Sequence, residues 1–205
     1  MLTAARWISI LLHPVFMPLY TIALVMWMDP DLVYFLPDQA RYIMLTMIFV
    51  MTVAFPLTST LLLLRAHLLT SLEMRTSQER IAPFGMTLLY YCMTYYLLRQ
   101  SPLHPVVLSI FAGVIVAMLL TLLITLRWKI SAHMVGVGGM LGAITAVTVV
   151  HSLAVFPIIA LVIVIAGLLG TARSIAGTHM PAQIYSGVAL GFAAIYFCVF
   201  WEVAV

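Results

Sequence analysis

The sequence predicts an all-α membrane protein with six to seven transmembrane helices in a single membrane-embedded domain, residues 1–205. Of its 205 residues, 65% are hydrophobic and 7% are charged, whereas a soluble domain carries about a quarter charged residues. Apolar runs reach about 20 residues, the length at which a helix crosses a hydrocarbon core of about 30 Å. No run shows the strict polar–apolar alternation of a membrane β-strand, so every span is predicted to be helical.

Seven segments are apolar enough to be considered as spans. They are residues 7–27, 42–64, 84–98, 106–126, 135–150, 155–172 and 184–200. The third and fifth are short, so six crossings with one re-entrant or interfacial piece is an alternative. The first is longer than a signal-peptide core and has no small-residue cleavage pattern, so we expect a membrane helix there. Pro56 and Pro157 are expected to bend their helices.

Composition also limits the function classes. The formal net charge of +3 is small and scattered, so nothing indicates nucleic-acid binding. Cys92 and Cys198 lie inside apolar segments, and we expect small core residues rather than a disulfide. The fifth segment carries a face of small residues that predicts close helix packing: Gly136, Gly138, Gly139 and Gly142.

The few polar residues are concentrated in three segments, residues 65–80, 127–133 and 173–183. Each segment follows an even number of predicted crossings. Because an even number of crossings returns the chain to its starting side, we expect all three segments at one membrane surface. Polar side chains that are distant in the sequence can therefore form one site.

The residue types in these segments suit a phosphate ligand. They are Arg75 and Arg80 in the first segment, Lys129, Ser131 and His133 in the second, and Arg173, His179 and Gln183 in the third. Arginine binds phosphate oxygens in pairs and lysine adds a point charge. One histidine can attack phosphorus while another protonates the leaving oxygen. The pattern predicts a site for a phosphate monoester or a diphosphate.

At these residues the chain resembles the type 2 phosphatidic acid phosphatase superfamily, whose motifs are Lys-x6-Arg-Pro, Pro-Ser-Gly-His and Ser-Arg-x5-His-x3-Asp. The second motif is present as residues 130–133, which keep the serine and the histidine. The third runs from Ala172-Arg173 through His179 to Gln183. The first is degraded: Arg75 is followed by six residues and then Ala82-Pro83, and Arg80 lies two positions before the expected arginine. The resemblance covers roughly residue 65 to the C-terminus.

The resemblance implies a lipid phosphatase that needs neither metal nor cofactor. His179 would form a phosphohistidine and His133 would be the general acid. The phosphate would be held by Arg173, Ser131, Lys129, Arg75 and Arg80, of which Lys129 has no assigned family role. Gln183 replaces the family's aspartate and brings no negative charge. Three alternatives follow: a slow enzyme, a substitute carboxylate such as Glu73 or Glu79, or a relative that binds or moves a phospholipid without hydrolysis.

The substrates implied are a polyprenyl diphosphate, phosphatidylglycerol phosphate or phosphatidate, and the oligomeric state stays open. His13, His104 and His151 are expected to be structural. Because the histidines are not expected to pair across two helices, a b-type cytochrome is disfavoured. With the proposed phosphate ligands set aside, the remaining arginines do not decide orientation. The resemblance implies the bacterial inner membrane with a periplasmic site.

Overall fold

The computed structural model describes residues 2–34, 36–72, 74 and 76–204. Within these ranges the regular structure is helical, and no strand occurs. The α-helices are α1 (Leu2–Leu11), α2 (Met17–Met28), α3 (Asp38–Phe49), α4 (Phe55–Arg65), α5 (Ser77–Arg99), α6 (Pro105–Thr125), α7 (Ala132–Val150), α8 (Phe156–Ile175) and α9 (Pro181–Ala204).

Seven helical stretches within the described ranges are long and apolar enough to cross a membrane. The first combines α1 with α2, the second combines α3 with α4, and α5 to α9 provide one each. The third and fifth, α5 and α7, contain 23 and 19 residues, so both reach a spanning length. The chain is an integral, multi-pass membrane protein, and the predicted all-α bundle is confirmed with seven spans.

The first two spans are not continuous α-helices. The first is interrupted by a 3-10 turn at Pro14–Phe16, which separates α1 from α2. The second contains a π-helical turn at Val50–Ala54, directly before the turn that holds Pro56. Pro157 lies in the first turn of α8. Backbone N–H groups in the first turn have no hydrogen-bond acceptor within the helix, so the N–H that proline lacks breaks no helical hydrogen bond. The expected bend at Pro157 is therefore wrong.

Helix α7 is the central helix of the bundle, and about two thirds of its most apolar 18-residue stretch is buried. It packs most extensively against α9, and also against α8, α2 and α6. The contact with α9 is backbone against backbone. A Cβ atom on Gly138 would lie 2.3 Å from Val188 O, and one on Gly191 would lie 2.0 Å from Val135 O. The close packing predicted from the small residues of α7 is confirmed.

The two cysteines are free and differ in environment. Cys198 is half-buried, but Cys92 is exposed on the surface of α5. The expectation that both are core residues is therefore wrong for Cys92. In a membrane-embedded helix an exposed, weakly polar thiol can face the lipid, because the surrounding hydrocarbon is apolar and the helix surface does not have to be polar.

Candidate functional site

The structure brings the three polar segments together at one end of the bundle. Arg80, on α5, is buried with 6% of its surface exposed. Its Nη1 donates to Ile130 O at 3.2 Å and its Nε donates to Met74 O at 3.1 Å. The backbone N–H of Ser131 donates to Gln183 O at 3.3 Å. These bonds connect the first segment to the second and the second to the third.

Gln183 fixes the tautomer of His179. Its Oε1 accepts a hydrogen bond from the backbone N–H of Met180 at 3.0 Å and contacts His179 Nδ1 at 3.1 Å. Because a backbone N–H only donates, the atom that receives it is the amide oxygen rather than the amide nitrogen. His179 Nδ1 must therefore carry a proton and donate it. In the neutral imidazole this leaves the lone pair on Nε2.

His179 lies between the last two spans, with 7% of its surface exposed. Burial lowers its pKa to about 4, and the positive charges of Arg80, Arg173 and, less strongly, Lys129 act in the same direction. The hydrogen bond to Gln183 acts the other way. At neutral pH the imidazole is consequently neutral, with its single proton on Nδ1. A neutral ring with a free Nε2 lone pair, among cations, is suited to attack a phosphate.

Two further predicted residues lie in the same region. Ser131 immediately precedes α7 and is fully buried. Within the described part of the chain its Oγ has no hydrogen-bond partner, so this hydroxyl can donate to a ligand. Arg173 lies in the last turn of α8 and acts electrostatically on His13, His133 and His179. These residues share one positive region of the protein.

His133 is half-buried in the first turn of α7 and is connected to the first span. Its Nε2 lies 3.1 Å from Ser9 O. Because a carbonyl oxygen only accepts, Nε2 carries the proton, and the neutral ring has its lone pair on Nδ1. The predicted general acid therefore has one of its nitrogens bound to the backbone.

His13 lies beside His133, with ring centroids 5.2 Å apart in an edge-to-face arrangement. His104 and His151 form a second such pair at 5.7 Å. The expectation that histidines do not pair across helices is therefore wrong. Each pair is in direct ring contact, which leaves no gap for a haem plane. Counting crossings does not assign His13 to either membrane surface, because this residue lies inside a span. The Leu-His-Pro sequence, which predicts an interruption of the helix, is the feature that indicates its position.

Of the remaining predicted residues, Arg75 and Glu73 lie outside the described residues, and Glu79 has a different role. The Glu79 carboxylate accepts hydrogen bonds from Thr70 and from the backbone N–H of Thr76, with which it forms a capping box at the start of α5. Glu79 therefore orders the segment before α5 and is not hydrogen-bonded to His179.

The opposite end of α7 carries a separate polar cluster. Asp29 follows α2 and is 3% exposed. Its Oδ2 is hydrogen-bonded to His151 Nδ1, and its Oδ1 accepts from the backbone N–H of Asp31. A buried carboxylate is costly without such partners. The cluster fixes the end of α2 against the end of α7, one full helix length from His133.

A narrow apolar crevice of about 60 Å³ runs beside the candidate site. It follows α7 from Ala132 to Gly139, a distance of about 10 Å at 1.5 Å per residue. Its other walls come from four neighbouring helices and include Pro14, Met17, Tyr91, Thr121 and Ile195. An apolar space of this volume, which begins beside a cationic site, has room for only the first few atoms of a hydrocarbon chain next to a charged group.

No protein-family model matches the chain, and no curated protein or solved structure matches it either. Across residues 2–34, 36–72, 74 and 76–204, no group of three or more His, Cys, Asp or Glu side chains is arranged to hold a metal ion.

Proposed function

We propose that this protein is a membrane lipid phosphatase that resembles the type 2 phosphatidic acid phosphatase superfamily and works through a phosphohistidine. The observation that supports the proposal most is the bond between His179 Nδ1 and Gln183 Oε1. It leaves the Nε2 lone pair free, within the electrostatic influence of Arg80, Arg173 and Lys129. Preorganised cations around a nucleophile stabilise the charge that develops on a transferring phosphoryl group.

The proposed reaction has two steps. His179 Nε2 attacks phosphorus, the bond between phosphorus and the leaving oxygen breaks, and that oxygen takes a proton from solvent water. Water then attacks phosphorus, the P–N bond breaks, one proton of the attacking water returns to solvent, and inorganic phosphate leaves while the lone pair returns to Nε2. Arg173 and Arg80 hold the phosphate oxygens, and the buried Ser131 hydroxyl donates to one of them.

A lipid phosphate is the substrate class that the surroundings favour. The site lies at the ends of membrane helices, and the apolar crevice along α7 begins beside it. We propose a polyprenyl diphosphate, phosphatidylglycerol phosphate or phosphatidate as the substrate. By the same resemblance we propose the periplasmic face of a bacterial inner membrane as the location.

A second function is favoured by Gln183. The amide oxygen accepts a hydrogen bond from the His179 Nδ1–H as an aspartate would, but it adds no negative charge to stabilise a positive ring. Within the described part of the chain, no carboxylate is bonded to His179 in its place. A protein that binds or moves a phospholipid without hydrolysing it would have these properties.

The test is phosphate release by the purified protein in detergent, across a panel of the three lipid phosphates. We expect release in the presence of a chelator and its loss in His179→Ala. His104→Ala, at the opposite end of the bundle, is the matched control and should keep full activity. Release that the chelator abolishes, or that persists in His179→Ala, would contradict the mechanism. Lipid binding without any release would favour the second function.

A further inference from the structure

The first span contributes a histidine to the candidate site, although the resemblance covers only the chain from residue 65 onward. His13 is exposed and lies in edge-to-face contact with His133. The backbone carbonyl of Ser9, one helical turn before His13, accepts a hydrogen bond from the His133 Nε2–H. This bond and the ring contact hold His13 at the start of α7, within the electrostatic influence of Arg173.

The backbone fixes the protonation pattern of the His13 ring. The backbone N–H of Val15 donates to His13 Nδ1 at 3.4 Å, which caps the turn at Pro14–Phe16. A nitrogen that accepts this bond carries the lone pair, so the proton of the neutral ring is on Nε2. Within the described part of the chain that Nε2–H has no hydrogen-bond acceptor.

We propose that His13 is a further substrate-contacting residue of this site, whose Nε2–H donates a hydrogen bond to a phosphate oxygen. This inference rests on the proposed function, because it requires phosphate at the site. His133 has its Nε2–H bound to Ser9 O, so His13 supplies the free imidazole N–H on this side. The His13 Nε2–H and Arg173 together bind oxygens on the side of the phosphate that faces the first span.

The chain contains its own control for the His13 turn. The sequence Leu-His-Pro-Val occurs at residues 12–15 and again at residues 103–106. In the second copy the backbone N–H of Val106 donates to His104 Nδ1, also at 3.4 Å, and the His104 ring contacts His151 edge to face. His104 therefore has the same capping role and a similar ring contact, but at the opposite end of α7.

Two substitutions at His13 separate capping from phosphate contact. In His13→Asn the side chain still caps the turn, since asparagine is a favoured N-cap residue, but the distal N–H is lost. In His13→Gln a distal N–H is kept near the position of Nε2 and the short capping side chain is lost. The expected loss for a hydrogen bond to a charged group is about tenfold to a hundredfold.

The experiment measures kcat/KM for lipid phosphate release by wild type, His13→Asn, His13→Gln and His104→Asn in detergent. We expect a loss of about tenfold to a hundredfold in His13→Asn, partial recovery in His13→Gln, and no loss in His104→Asn. Full activity in His13→Asn would overturn the inference and leave the proposed function intact. Equal losses in the two His13 variants would also overturn it, because the distal N–H would then not matter.

If the wild type releases no phosphate, binding decides the question. The probe is inorganic pyrophosphate, followed through the rise in thermal unfolding temperature of the same four proteins. A rise in wild type and His104→Asn that is lost in His13→Asn would support the contact without catalysis. An equal rise in all four proteins would overturn it, and no rise in the wild type would overturn it together with the phosphate site.

Discussion

Gln183→Glu tests the charge relationship within the candidate site, because it changes one atom type while keeping the side-chain length. The new carboxylate would occupy the position from which Gln183 Oε1 now contacts His179 Nδ1 at 3.1 Å. It would still accept the Met180 N–H, which already donates to this atom. The geometry is thereby preserved, and a negative charge is added beside the imidazole.

The size of the effect follows from Coulomb's law. Two unit charges about 4 Å apart attract by about 4 kcal/mol at an effective dielectric constant of about 20. At about 1.4 kcal/mol per pKa unit, the carboxylate would raise the pKa of His179 by up to about three units, from about 4 to about 7. The cost of burying the carboxylate reduces this shift.

The pH dependence of kcat/KM measures the shift. Nucleophilic attack requires the neutral ring, so activity is present above the pKa of His179 and is lost as the pH falls through it. We expect the acidic limb near pH 4 in wild type and near pH 7 in Gln183→Glu. Above pH 8 the variant should be the faster enzyme, because a more basic nitrogen is the better nucleophile.

Gln183→Met is the control, since it has a similar length and no good acceptor. It should lose activity at every pH, because nothing then fixes the His179 tautomer. An acidic limb that does not move in Gln183→Glu, or that moves to lower pH, would refute the assignment of His179 as the titrating nucleophile.

Two further predictions concern the packing that supports the site, and both are read as thermal unfolding in detergent. Gly191→Ala should lower the free energy of unfolding by about 1–3 kcal/mol, because the new Cβ would lie 2.0 Å from a carbonyl oxygen of α7. The control is Gly167→Ala, which should be neutral or stabilising because nothing lies within 4 Å of its Cβ position. Equal effects of the two substitutions would contradict the role of Gly191 in packing. Asp29→Asn should destabilise the fold by about 3 kcal/mol by breaking the buried pair with His151, while KM for a lipid phosphate stays unchanged; a raised KM would place this cluster in the phosphate site.

Much of the fold could be predicted from composition, because a bilayer admits few architectures for so apolar a chain. The meeting of the polar segments also followed from counting crossings, since an even number returns the chain to one side. The structure joins those segments through Arg80 and Ile130, and through Ser131 and Gln183.

Counting crossings carries no information about a residue inside a span, so the sequence predicts only a structural role for His13, and the cap on the turn at Pro14–Phe16 agrees with that role. Its position depends on where the first span breaks. The break at Pro14 ends α1 and begins a new helix, which brings His13 level with the start of α7. The pairing of Asp29 with His151 cannot be predicted from the sequence for a similar reason, because it depends on the relative depth of α2 and α7 in the membrane.

The glycines of α7 and α9 connect the packing of the bundle to the geometry of the site. A Cβ on Gly187 would lie 2.9 Å from Ser131 O and 2.9 Å from Met134 Cβ, so the two helices touch within one turn of the residues argued to bind phosphate. This approach lets the Ser131 N–H reach Gln183 O. A larger residue at position 187 would separate the buried hydroxyl of Ser131 from the pair formed by His179 and Gln183. The small residues therefore have two effects. They allow the close helix approach that stabilises the bundle, and the same approach sets the distance between the second and third polar segments.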